Sequence, residues 1–215
     1  MNWFEWFSSN ASEIFTVFVR HVYLTLVPVV IGLVLAIPLG WVARRFRWVY
    51  PPMIGITGLL YTIPSLALFV IAPVIFGFGI LDDANVIAAL TVYSVALLVR
   101  TVADGLAAVP EDVRQAAQAM GYKPFRQFIS VELPVAVPFI AAGLRVAVVS
   151  NVSMVSVASL IGVSQLGSLF IDGFQRNFPA PLLTGLVLSV ALALALDAVV
   201  LVGTRMLTPW RRARA

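Results

Sequence analysis

The chain has 215 residues, 61% hydrophobic and only 11% charged, with 14 basic and 10 acidic side chains. Ordinary soluble domains carry roughly 25% charged residues, and a soluble domain of this size could not bury so much apolar surface, so lipid must solvate part of it. There is no cysteine and one histidine, His21, which excludes disulfides, thiolate metal sites, a cysteine nucleophile and a His-rich metal centre. The one lysine, Lys123, lies in Met120-Gly121-Tyr122-Lys123-Pro124, which is not a phosphate-binding loop. Any ATP hydrolysis must therefore come from another chain.

A helical crossing takes about 20 residues, so four to six crossings consume the chain as one domain, 1–215. Residues 1–16 lack the basic start of a signal peptide and set Trp3, Phe4, Trp6 and Phe7 among polar residues, which predicts a short segment at the membrane interface. The first crossing is expected from about Phe18 to Val42. Arg44, Arg45 and Arg47 follow it. The second is expected from Pro52 to Phe78, kinked or broken at Ile63-Pro64-Ser65, because proline removes a backbone donor and clashes with the preceding turn. An acidic loop with Asp82 and Asp83 leads to a third crossing from Ala84 to Val102. The fourth runs from Pro134 to Ile161 and the fifth from Leu182 to Leu207. Between these last two, residues 162–181 read as a Gly- and Pro-punctuated loop, with an apolar patch from Leu166 to Ile171 placed to dip back into the bilayer.

Five crossings put the termini on opposite sides. Arg44, Arg45, Arg47, Arg100, Arg114, Lys123, Arg126, Arg205, Arg211, Arg212 and Arg214 then share one side, and only Arg20 and Arg176 take the other. Positive charge favours the cytoplasmic face, so the N-terminus is expected outside and the C-terminus inside. Trp3 and Trp6 at the outer edge, and Trp41, Trp48 and Trp210 at the inner edge, suit the same arrangement.

The cytoplasmic stretch 104–133 is the informative one. Pro110, Glu111 and Asp112 open a short helix. Gln115, Ala116, Ala117, Gln118 and Ala119 sustain it, and Gly121 ends it by adopting left-handed angles. Ten helical residues make a rod of about 15 Å, too short to be stable alone, and small Ala116 and Ala117 would let a partner approach. A second helix starts at Pro124, with Phe125, Phe128 and Ile129 on one apolar face. On periodicity alone the stretch reads equally as a linker with helical character.

Gln115-Ala116-Ala117, three residues, Gly121, nine residues, Val131, one residue and Leu133-Pro134 closely resembles the EAA loop of the permease subunits of binding-protein-dependent ABC importers. That loop reads Glu-Ala-Ala, Gly, Ile, Leu-Pro at the same spacing. Gln115 replaces the usual Glu, which removes any ion pair the family makes there, and Val131 replaces Ile. Tyr23-Leu24-Thr25-Leu26, Tyr61-Thr62-Ile63-Pro64-Ser65-Leu66-Ala67-Leu68 and Gly162-Val163-Ser164-Gln165-Leu166-Gly167 are similar to segments of permeases for glycine betaine, carnitine and choline. The resemblance implies the all-α, MetI-like type I importer fold. It also implies coupling to an ATPase subunit through Gln115, Ala116, Ala117, Gly121, Leu133 and Pro134. The partners it implies are that ATPase, a second permease subunit, identical or related, and an external binding protein, at the cell inner membrane. No cofactor, metal or nucleic acid is expected.

Thr62, Pro64 and Ser65 flank the break in crossing two and are candidates to line a pathway, since unwound backbone inside a membrane is tolerated where it is buried or lines a cavity. Ser and Thr also simply cap broken helices. Ser150, Asn151, Ser153 and Ser156 form a polar cluster in crossing four, suited to a subunit interface or to the pathway. His21 is expected to hydrogen-bond at the outer interface. Arg145 lies about 16 Å and Asp197 about 15 Å from the cytoplasmic ends of their crossings, at 1.5 Å per residue, so they are expected to pair inside the membrane. Each could instead find its own solution, Arg145 near the surface and Asp197 on a hydroxyl or another subunit. A quaternary ammonium is best held by aromatic faces. No such cage can be assembled from the sequence, which places recognition mainly in the binding protein. Two other classes remain. A channel or secondary transporter without an ATPase leaves the coupling-like loop unexplained. A membrane enzyme would need an ionisable cluster, and capping accounts for Asp104, Glu111 and Asp112.

Overall fold

The computed structural model describes residues 3–210. Arg211, Arg212 and Arg214, counted above for orientation, lie outside them. The described elements are helical: α1 (Trp3–Ser9), α2 (Ala11–Arg45), α3 (Tyr50–Thr62), α4 (Ser65–Phe76), α5 (Asp83–Ala107), α6 (Glu111–Ala119), α7 (Pro124–Gln127), α8 (Leu133–Val157), α9 (Leu166–Gln175) and α10 (Pro179–Leu207). A π turn, Phe128–Glu132, joins α7 to α8, and a 3-10 turn, Ala158–Ile161, ends α8.

Helix α5 is the mast of the bundle. Val86, Leu90, Leu98, Val99, Val102 and Leu106 are fully buried along it. Its closest neighbour is α2, and small residues make that approach possible. Gly32, Ala36 and Gly40 recur every four residues on the buried face of α2. A side chain at Gly40 would meet Val102 at 2.6 Å. Between helices in lipid, where apolar burial supplies no drive, such close packing carries association. At the other extreme, α10 leaves Val187, Leu194, Val199 and Val202 more than half exposed in this chain, a surface that lipid tolerates and water would not.

Helices α2, α5, α8 and α10 are each long and apolar enough to cross a membrane, and α3 with α4 forms a further pair bent by 107°. The pair is one broken crossing and not a re-entrant loop, because its two halves are pinned at different heights on α5. Tyr50 donates to Asp104 Oδ1 (2.7 Å) near one end of α5, and Asn85 Nδ2 donates to Phe69 O (2.9 Å) near the other. Those positions are 19 residues, about 28 Å, apart. Five crossings result. Their ends group into a basic end, with Arg44, Arg45 and α6, and an opposite end. There Arg20 pairs with Asp83 at 2.6 Å and Trp6 packs edge-on against Phe178.

Three expectations are corrected. Helix α2 starts at Ala11, not near Phe18, and runs unbroken through Pro28 and Pro38 for 35 residues. Residues 162–181 are not an irregular loop. They contain α9, whose side chain at Leu166 is fully buried, with Leu169 nearly so, so the apolar patch packs against protein. His21 does hydrogen-bond, but within the protein and not at an exposed edge: it has no exposed surface, and its ring nitrogens lie 3.0 Å from Gln165 Oε1 and 3.1 Å from Val152 O.

Candidate coupling and translocation sites

Helix α6 opens after Pro110 with Glu111 and Asp112 in its first turn, where acids suit the free amides. It closes in a Schellman turn: Tyr122 N donates to Ala117 O (3.1 Å), Gly121 N donates to Gln118 O (2.9 Å), and Gly121 takes φ +79°. The helix is nine residues long, one short of expectation.

Arg114, expected only as one of the orienting cytoplasmic charges, holds the helix in place. Its side chain is 9% exposed, lies 3.2 Å from Glu111 and 3.6 Å from Glu132, and donates to Leu106 O at the end of α5. Glu132 also accepts from Gln127 Nε2 (2.9 Å). One guanidinium thus ties together the end of α5, α6 and the π turn that feeds α8.

The expected small-residue pair divides between two faces. Ala117 is buried against its own chain at 1% exposure, whereas Gln115, Ala116, Gln118, Ala119 and Gly121 are exposed and Met120 is 67% exposed. Leu133 and Pro134 start α8, half-buried. The apolar face expected over Phe125, Phe128 and Ile129 is also divided. Phe128 is buried and packs on Trp41 at 5.2 Å between ring centroids, while Phe125 and Ile129 stay exposed, because α7 gives way to the π turn after four residues. A cleft of ≈ 450 Å³ lies beside α6, between the end of α2 and the π turn, with Arg44, Arg45, Glu111 and Glu132 on its walls.

The break in crossing two falls at Ile63-Pro64. Tyr93 of α5 donates its hydroxyl to Ile63 O, satisfying a carbonyl that the helix no longer can. Thr62 turns back to Leu59 O (2.7 Å), a local cap. Thr62 and Pro64 are exposed and Ser65 is half-buried. In the polar cluster of α8, Asn151 turns inward, away from Ser150, Ser153 and Ser156. Asn151 is buried and donates to Ser94 Oγ of α5 (3.1 Å), Ser150 is half-buried, and Ser153 is exposed. Ser156 accepts from Gln165 Nε2 through its backbone carbonyl (3.3 Å). Arg145 and Asp197 come together as a two-pronged pair, Nε to Oδ1 at 2.6 Å and Nη2 to Oδ2 at 2.7 Å, joining α8 to α10.

A five-crossing bundle around one buried helix, with a short helix clamped outside the basic end, is the architecture of an importer's membrane component. The chain belongs to the family of binding-protein-dependent transport system inner membrane components, whose model matches residues 15–211. In that family ATP hydrolysis resides in a separate subunit and solute is delivered by a binding protein. The osmoprotectant import permease protein OsmW of Salmonella typhimurium is 31% identical, over 87% of this chain and 88% of that protein. The choline transport system permease protein OpuBB of Bacillus subtilis is 31% identical over 95% and 93%. The glycine betaine/carnitine/choline transport system permease protein OpuCB of the same organism is 30% identical over 94% and 91%. A crystal structure of the MetNI methionine ABC transporter in an inward-facing conformation superposes with a TM-score of 0.77, at 25% identity over 91% of this chain and 98% of the matched one. An amino acid ABC transporter crystallised with histidines gives 0.78 at 15% identity over 96% and 99%. The chain is therefore an inner-membrane permease subunit of an ABC importer.

Proposed function

We propose that this permease carries a quaternary-ammonium osmoprotectant (glycine betaine, choline or carnitine) and that α6 is its docking element for the ATPase. The observation that carries the solute reading is that, of three relatives at 30–31% identity over 87–95% of the chain, two are named for those solutes and the third for osmoprotectant import. The docking reading is supported by the division of α6. One face is clamped by Arg114 and Ala117, and the other offers Gln115, Ala116, Gln118 and Gly121 outward. The basic end, with α6, faces the cytoplasm, in keeping with its arginines. Two permease subunits, identical or related, enclose the pathway, with Thr62, Pro64, Ser65 and Ser153 at its wall. The Arg145–Asp197 pair lies within the membrane and neutralises two charges that are costly there alone. An ATPase-independent channel would give the exposed face of α6 no task.

The solute reading is tested by uptake of labelled betaine, choline and carnitine into proteoliposomes holding the permease, its ATPase and the binding protein. Uptake of at least one, dependent on ATP, is expected; uptake of none refutes it. Orientation is read with single cysteines, since the chain has none of its own. Ser9→Cys should react from outside intact cells and Lys123→Cys only after permeabilisation.

A further inference from the structure

Between α3, α5 and α8 lies an open cavity of ≈ 360 Å³ whose walls include Thr57, Gly58, Tyr61, Arg100, Thr101 and Gly143. Glycine makes the space. A side chain at Gly58 would meet nothing within 4 Å, whereas at Gly143 the α8 backbone comes up against Thr101 and forms the floor. The volume lies in the range of small-molecule sites, about 300–1,000 Å³.

Two groups of complementary chemistry face this space from antiparallel helices. Tyr61 is 41% exposed and is steadied edge-on by Tyr93, 5.8 Å between ring centroids. Arg100 carries a side chain 67% exposed, and its ion pair to Asp104 is long at 3.6 Å. Asp104 already accepts the Tyr50 hydroxyl at 2.7 Å, so it is shared. Exposed pairs of this kind are weak, and the guanidinium is free to exchange partners. Helical side chains lean toward their own N-terminus. Helix α3 starts at the basic end and α5 at the opposite end, so Tyr61 leans toward Arg100 and Arg100 toward Tyr61. They are set about seven residues, or 10 Å, apart in height, and both line the cavity. The guanidinium gives the cavity a polar wall, which suits it to water and solute.

We infer that the Tyr61–Arg100 cavity is a transit site for a zwitterionic solute, the ring taking the quaternary ammonium and the guanidinium the carboxylate. This rests on the osmoprotectant reading above and adds where in the permease the solute pauses. A quaternary ammonium has no N–H to donate, so an aromatic face is its natural contact. A carboxylate takes the two-pronged donors of arginine. Glycine betaine and carnitine carry both groups; choline carries only the first. The cavity therefore discriminates between them through Arg100 alone. Its position in the basic-end half of the bundle, below the break that Tyr93 pins, suits a solute on its way out of the pathway.

The test uses the permease–ATPase complex without the binding protein, so that the selectivity of the binding protein does not intrude. A single cysteine is placed as Gly58→Cys and its labelling by a maleimide timed. A weak site of Kd about 1 mM is nearly filled by about 10 mM betaine, so labelling should slow about tenfold. Choline, held by the ring alone, should protect less. In the Arg100→Gln background protection by betaine and carnitine should fall to the level given by choline, which is unchanged. Tyr61→Leu should remove all of it. The choline arm is read in the same preparation, so loss of folded protein cannot mimic the expected pattern. Ser9→Cys is the control and should respond to no solute. Equal loss of betaine and choline protection in Arg100→Gln overturns the role of the guanidinium. Unaltered labelling of Gly58→Cys by betaine, in a complex whose wild type imports betaine, overturns the site and leaves the solute reading standing. A wild-type complex that imports none of the three fails the solute reading first.

Discussion

The basic-end loop and the broken crossing are both irregular, and they are held in opposite ways. Helix α6 is over-determined. Arg114 reaches three elements, Ala117 is buried beneath it, and a Schellman turn at Gly121 closes it. The break at Ile63-Pro64 depends on one hydroxyl, that of Tyr93, and on the local Thr62 cap. Most of α3 is exposed, with Thr57 its one buried residue. A part that transmits force should move as a unit, and a part that opens should yield locally. On the proposed function, the first region acts as a lever and the second as a gate.

The largest effect should come from removing the clamp. Arg114→Met strands Glu132 and the Leu106 carbonyl, and breaking a buried pair from one side costs about 3–5 kcal/mol. Uptake should vanish and protease should cut within residues 108–132 faster than in the wild type. A loop that resists protease as before would mean that Arg114 does not hold it. At the α8–α10 seam, Arg145→Met and Asp197→Asn should each lower the melting temperature in detergent more than the double change does, because each single change leaves a charge without its partner. Additive losses would show that the two do not interact.

Next comes overpacking. Ala117→Leu should cost about 1–3 kcal/mol, whereas Ala116→Leu, one residue along and exposed, should stay within about 0.5 kcal/mol. Paired melting curves separate the two faces of α6, and equal losses would erase the distinction between them. The smallest effect belongs to the gate. Tyr93→Phe removes a single hydrogen bond, worth about 0.5–1.5 kcal/mol. Amide exchange should quicken at 60–68 and stay unchanged at 111–121. Exchange that quickens equally in both would mean the two regions are one cooperative unit.

Much of this was legible in the sequence, for definite reasons. The crossings follow from runs of apolar residues, the break from Pro64, and the end of α6 from Gly121, because each is a local property of the chain. The spacing from Gln115 to Pro134 marked the loop proposed to dock the ATPase. Helix α9 escaped notice because its ten residues are too few to cross and sit between Gly162 and Pro179, which read as loop punctuation. The clamp escaped because Arg114 looked like one more cytoplasmic cation, and its partners Leu106 and Glu132 lie 8 and 18 positions away in the chain. His21 and Gln165 likewise meet only through the fold, 144 residues apart. The Tyr61–Arg100 cavity depends on glycines whose missing side chains matter only once three helices are packed together.

The central claim is that the outward face of α6 couples this permease to its ATPase, and Ala116 is its most direct probe. Ala116→Trp is measured in proteoliposomes with the ATPase and the binding protein, beside the melting curve of the permease alone. The account predicts an unchanged melting curve, loss of ATPase from the purified complex and ATP-driven uptake reduced at least about tenfold, the rate ratio that about 1.4 kcal/mol produces. Full uptake with the ATPase bound at wild-type affinity would contradict it.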